Sequence, residues 1–196
     1  MDDNLRRAEL TPSLDDNVAR FRALLCADVN SDAQFRLVDC AGTRLCVLYI
    51  EGMADDRKIS DFVLRACVNH TDIAGRTLDA AYLMDNVLEI AQCEVEHRVS
   101  GILDAVVTGM TAVLIEGCDE AVLLETRGYP ARQVNRTTNE SVVIGAQEGF
   151  VESLRTNMTL MRRYVPSADL ITECVSVGTQ VPTHVKIGRA SCRERV

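Results

Sequence analysis

The chain predicts an α/β or α+β fold with mixed sheets and helices, because apolar residues follow strand spacing in some stretches and helix spacing in others, and the two kinds alternate. Three stretches carry that prediction. Leu45, Val47 to Tyr49 and Ile50 make a nearly continuous apolar run, as expected of a strand covered on both faces. Thr111 to Glu116 and Ala121 to Thr126 are joined by Gly117-Cys118-Asp119-Glu120, the composition of a hairpin. Phe150, Leu154, Met158, Met161 and Val165 recur every three or four residues, which places them on the buried face of an amphipathic helix, with Glu152, Arg155 and Arg162 elsewhere on it.

Taken in order, Ser13 precedes Leu14 with Asp16 three residues on, a capping arrangement, and Leu14, Val18, Phe21 and Leu25 follow at helical spacing. A packing helix over residues 14–26 is expected. Phe35 to Asp39 and Arg44 to Ile50 flank Cys40-Ala41-Gly42-Thr43, so two antiparallel strands follow. Asp56 opens a helix whose inner face is Ile59, Phe62, Val63 and Ala66, and residues 77–90 form another around Leu78, Ala81, Tyr82 and Leu88. Residues 91–97 alternate like a strand, and Val99 to Thr108 suit a helix before the second hairpin.

A polar excursion from Arg127 leads to a short strand over residues 142–144, and Gly145 and Gly149 loosen the backbone before the amphipathic helix, which Pro166 stops. Leu170 to Gly178 and the residues after it echo Phe35 to Val47 as strand, glycine turn and strand, a weak internal repeat expected to break off before its second strand. The expected organisation is a leader over 1–30, a first α/β subdomain over 31–130, and a related but incomplete second subdomain, with the amphipathic helix, over 131–186. Ile187 to Val196, IGRASCRERV, resembles the translation of a sequencing-adapter read-through. Residues 187–196 are therefore expected not to belong to the natural protein, whose gene would continue past Lys186.

At 196 residues and 47% hydrophobic, the chain can bury an ordinary core. Its net charge of -8, with no basic run interleaved with aromatics, argues against nucleic acid as a partner. The longest uncharged apolar stretch, Ala105 to Ile115, falls short of the roughly 20 residues a spanning helix needs. The eight cysteines show no C-x-x-C pair and lie mostly in apolar patterns, as Cys46, Cys67 and Cys118 do, which fits buried reduced thiols. His70, His97 and His184 have no neighbours at metal-ligand spacing. No metal and no cofactor is expected.

Catalytic residues are not expected either, since the chain has no G-x-S-x-G, H-E-x-x-H or phosphate loop. Glu148 and Glu152 stand four apart, as on a solvated helix surface, and Arg155 is spaced to pair with either of them. Asn157 is unusual in mid-helix because its amide competes with the backbone; it fits a polar contact to a loop or neighbouring subunit, or a tolerated surface position.

The string Gly145, then Gln147-Glu148-Gly149-Phe150-Val151-Glu152, then Leu154-Arg155-Thr156-Asn157 and Arg162-Arg163 resembles the signature of the GerA-type A subunit of bacterial spore germination receptors, with Ala146 and Gln147 where the family has Pro and Arg. Asn17, Asp32 and Arg36 also match family positions, so the resemblance runs from about residue 13 to Lys186. It implies a soluble cytoplasmic N-terminal domain of two related subdomains, ahead of a membrane-spanning region, in the inner spore membrane. The implied partners are the receptor's B and C subunits and copies of the chain itself, met through an interaction motif of Glu148, Gly149, Phe150, Glu152, Arg155 and Asn157. A sister family member associated with dipicolinate transport shares the signature. The alternative is a free-standing two-lobed α/β solute-binding domain or soluble enzyme.

Overall fold

A computed structural model describes residues 3–71, 77–128, 150–178 and 182–190. After a short helix α1 (Asp3–Arg6) comes α2 (Leu14–Leu24), then the hairpin β1 (Ala33–Cys40) and β2 (Thr43–Ile50). A helical rod follows as α3 (Asp56–Lys58), a π-helical turn (Ile59–Leu64) and α4 (Arg65–Asn69), and then α5 (Ala80–Asn86), β3 (Cys93–Glu96) and α6 (Val99–Val107). The hairpin β4 (Thr111–Ile115) and β5 (Ala121–Leu124) closes the first unit. Beyond it lie α7 (Leu154–Tyr164), β6 (Leu170–Val177) and β7 (Thr183–Ala190).

The first sheet is antiparallel throughout, in the order β1-β2-β4-β5-β3, and β6 and β7 form a separate two-stranded sheet. The apolar run in β2 is covered on both sides, as its composition predicts. Cys46, Leu48 and Ile50 pack with Phe21 of α2 and Ile102 and Val106 of α6 on one face. Leu45 and Val47 pack with Ile59, Val63, Cys67 and Leu83 on the other. Helix, sheet and helix thus form three layers, with β4 and β5 wholly buried at the centre.

Local chemistry explains several boundaries. Ala41 and Gly42 both take positive φ in the two-residue β1–β2 turn, and Gly42 N donates to Asp39 Oδ1 at 2.9 Å. Ser13 caps α2 by accepting from Asp16 N. Just before α6, Glu96 Oε1 accepts from the backbone N–H of His97 and Arg98 and so shapes the turn that leads into the helix. The Arg98 guanidinium holds the Glu96 carboxyl below the usual carboxylate range.

Three expectations need correcting. The helix expected over residues 77–90 is the shorter α5, and Ala81 is exposed on it while Ala80 and Leu83 are buried, because Asp79 caps the helix at Tyr82 N and sets its inner face one residue earlier. Phe62 does not face the core: it is 42% exposed, while Ile59, Val63 and Cys67 are buried. The π turn inserts an extra residue per turn and rotates the inner face away from Phe62, while Ala66 stays partly buried against the core. The repeat that begins at Leu170 is also not cut off before its second strand, since Thr183–Ala190 pairs along the whole of β6 and takes up Ile187 to Ala190 of the adapter-like segment. The expected strand at 142–144, Gly145, and most of the preceding polar excursion lie outside the described residues.

Among the described cysteines, Cys40, Cys46 and Cys67 are buried free thiols, and burial pushes Cys46 and Cys67 up to about 12. Cys118 is half-buried and Cys174 exposed.

Candidate interaction helix

Ser153 caps α7, its Oγ accepting from Thr156 N at 3.3 Å. Asn157 reaches back to the residues before the cap: Val151 N donates to Asn157 Oδ1, and Asn157 Nδ2 donates to the Val151 carbonyl, both at 2.7 Å. The polar contact to a loop expected of Asn157 is therefore present, with the chain's own Val151 as its partner. The amide serves as a substitute backbone partner, which explains a residue that helix propensity alone would disfavour.

The same device sits at the start of α2. Thr11 N donates to Asn17 Oδ1 at 3.1 Å and Asn17 Nδ2 donates to the Thr11 carbonyl at 2.6 Å. Ser13, Leu14 and Asn17 thus correspond to Ser153, Leu154 and Asn157 at one offset, and Thr43 and Thr183 open β2 and β7 at that same offset. Both helices have 11 residues, and β1, β2, β6 and β7 have 8 each.

The inward face of α7 is not the one its apolar spacing predicts. Phe150 is 70% exposed and Leu154 37%, so the expected core stripe lies largely outward, with Met158 its fully buried member. Thr159 and Arg162 turn inward instead. Thr159 Oγ1 lies 3.0 Å from the Gly52 carbonyl, at a glycine with φ +82 where an added Cβ would come within 2.8 Å of that hydroxyl. Of the two partners its spacing suggests, Glu148 lies outside the described residues and Glu152 is not the one Arg155 takes: its guanidinium donates to Glu51, and to Asp56 at 3.1 Å, both in the first unit.

Arg162 is 2% exposed. Its Nε donates to Asp32 Oδ2 at 3.1 Å and its terminal nitrogen to Asn30 Oδ1 at 3.2 Å. Lys186 Nζ donates to the other Asp32 oxygen at 2.7 Å. Asn30 Oδ1 also accepts from Thr172 N and Oγ1, and Asn30 Nδ2 donates to the Leu25 carbonyl. Burial pushes the Asp32 carboxyl up, but the Lys186 hydrogen bond and the Arg162 charge outweigh it, and the net direction is down. Burial lowers Arg162 against the pull of Asp32.

Of the expected interaction motif, Arg155 and Asn157 engage the chain itself, while Phe150 and Glu152 face outward. Glu148 and Gly149 lie outside the described residues. Sequence spacing missed Asn30, Glu51, Asp56 and Thr172, because a residue that answers a distant helix leaves no periodic trace; Asp32 carried a signal only through the family resemblance.

Beside α7 lies an open cleft of about 380 Å³ between Gly52, Asp56 and Arg57 and the helix residues Arg155, Thr156 and Thr159. Arg155 and Asp56 pair across it, and the Asp55 carboxylate accepts from the backbone N–H of Arg57 and Lys58. No set of His, Cys, Asp and Glu side chains among the described residues is grouped to hold a metal ion.

A three-layer α/β unit followed by a helix and hairpin gripped against it describes a class of multi-unit α/β domain. Within that class, the family model for the Bacillus/Clostridium GerA spore germination protein matches residues 20–189, and the chain belongs to that family. The chain is 30% identical over 188 residues to the uncharacterised membrane protein YfkQ of Bacillus subtilis (strain 168), covering 94% of this chain and 35% of that one. It is 28% identical over 158 residues to stage V sporulation protein AF of the same organism, covering 80% of this chain and 31% of that one. It is 24% identical over 192 residues to spore germination protein KA, also from that organism, covering 95% and 35% respectively. The chain thus spans about a third of the length of these relatives.

Its fold matches the crystal structure of the N-terminal domain of the A subunit of the Bacillus megaterium spore germinant receptor GerK3, with a TM-score of 0.71 at 18% identity, over 93% of this chain and 66% of that one. No helix among the described residues is long and apolar enough to cross a membrane.

Proposed function

We propose that the chain is the N-terminal domain of a GerA-family A subunit and works as a non-enzymatic signalling and assembly module in a germinant receptor of the inner spore membrane, on the spore-core side. The observation that carries this is that the family's signature helix is used for structure: Asn157 closes its own entrance, Arg155 and Arg162 bind the first unit, and none of them converges with a nucleophile or base. The proposed partners are the receptor's B and C subunits and further copies of the chain, with anchorage through membrane-spanning segments in the longer protein. Phe150 and Glu152 face outward and remain candidates for contact with a partner.

We further propose that α7, β6 and β7 begin a second subdomain related to the first by duplication, with residues 1–30 as leader, 31–130 as the first subdomain and 131–186 as the start of the second. The paired Ser-Leu-x-x-Asn helix starts and the equal element lengths support this. Several relatives are named spore germination proteins and one a stage V sporulation protein, which supports the receptor as the favoured reading and keeps the dipicolinate-associated sister as its alternative.

The test is made in spores of an endospore former carrying the full-length gene with an epitope tag. The tagged protein should fractionate with the inner membrane, and deleting the gene should abolish the response to at least one nutrient while leaving non-nutrient germination intact. A tagged protein found in the soluble spore fraction would favour a free-standing domain, and unchanged nutrient response with slowed dipicolinate release would favour the sister role.

A further inference from the structure

The seam between the first unit and the α7–hairpin unit is unlike the rest of the interior. Asn30, Asp32, Thr159, Arg162 and Thr172 are all buried there, whereas the other buried polar side chains among the described residues, Asn17, Thr111 and Thr126, lie within the first unit. Apolar contact across the seam is small: Ala168 joins the first unit's core, and Met158 and Leu170 are buried beside it. Ser31 adds backbone pairing, its N–H donating to the Thr172 carbonyl at 2.8 Å.

Such a seam behaves differently from an apolar one when it opens. Separating apolar faces exposes surface that water disfavours, but separating buried, hydrogen-bonded charges returns them to water and recovers the desolvation they lost on closing. A buried ion pair therefore adds little net stability while fixing one geometry sharply. Arg162 is suited to that role because its planar fork spans two acceptors, Asp32 and Asn30, on the segment that joins α2 to β1.

We infer that Arg162 is a releasable latch: it fixes α7 and the second hairpin to the Asn30–Asp32 segment of the first unit in one orientation, and the seam opens locally while the first unit stays folded. The Arg155 pairs with Glu51 and Asp56 lie at the exposed rim and guide the same closure. A shift of the α2–β1 segment therefore reaches α7 through Arg162, while Lys186 on Asp32 and the Thr172 bonds to Asn30 and Ser31 carry it to the β6–β7 hairpin. This goes beyond the receptor reading and does not depend on it.

Hydrogen exchange of the purified chain, followed residue by residue, tests the latch in wild type, Arg162→Met and Arg162→Lys. Arg162→Met should speed exchange of the amides of residues 158–164 and 170–177 by about tenfold or more, with less than about twofold change in β2, β4 and β5. Arg162→Lys keeps the charge but loses the fork, and should fall between wild type and Arg162→Met. If Arg162→Met does not fold, Arg162→Lys alone decides: local acceleration confined to α7 and β6 supports the latch. Equal acceleration across both units in any folding variant would make Arg162 an ordinary core residue, and unchanged exchange would make the pair inconsequential; either result overturns the proposal.

Discussion

Asn17 and Asn157 show how one side chain can settle a helix start. Each holds the N–H and the carbonyl of the residue two before the cap, replacing backbone partners that the chain cannot supply at a helix entrance. Replacing Asn157 with leucine should raise intrinsic helix propensity yet lower stability by about 1–2 kcal/mol, since both Val151 bonds are lost. The check is the urea midpoint of the variant against wild type at equal m-value; a midpoint at or above wild type would show that the clasp contributes nothing. The rule a sequence reader would apply, that asparagine in mid-helix is a liability, fails here because the partner lies outside the helix.

At the scale of elements, α2 and α7 carry the same pattern into different surroundings. Leu14 is completely buried under α6 and the first sheet, while its counterpart Leu154 is 37% exposed. A charge at Leu14 would sit unpaired in the core, so Leu14→Asp should cost several kcal/mol and leave the chain unfolded. Leu154→Asp should cost about 1 kcal/mol or less in this chain and still melt cooperatively, as circular dichroism during heating would show. Collapse of Leu154→Asp would place that stripe back in the core. The same contrast marks how much was legible. Strand runs, both hairpins of the first unit, the Ser13 cap and the position of α7 follow from local spacing, because burial on a regular element writes a period into the sequence. The orientation of α7 and the turn of the α3–α4 rod did not: Arg162 is buried only because Asp32 and Asn30 wait for it, and the π turn that exposes Phe62 has no compositional mark.

At the scale of the whole molecule the two units are unequal. The first has a sheet covered on both faces; the second has one helix and a hairpin whose Val177 and Val185 are 55% and 41% exposed. With Thr183 matched to Thr43, Val185 stands where β2 has Leu45, which is completely buried beneath the α3–α5 side of the first unit. A two-stranded hairpin is marginal alone, and this chain matches 66% of the solved GerK3 domain. If the second unit repeats the first, and if residues 187–196 are adapter-derived as their resemblance implies, a longer chain continuing from Lys186 supplies the strands and helices that cover Phe150, Leu154 and Val185. Hydrogen exchange at Val185 and at the outer face of α7 should then slow by about tenfold or more. Leu154→Asp, tolerated in the shorter chain, should in the longer one cost several kcal/mol, because the same carboxylate would now be buried without a partner. Both measurements turn on one structural event, so a longer chain that leaves Val185 exchanging as fast as before and still accepts Leu154→Asp would show that the second unit is not a repeat of the first.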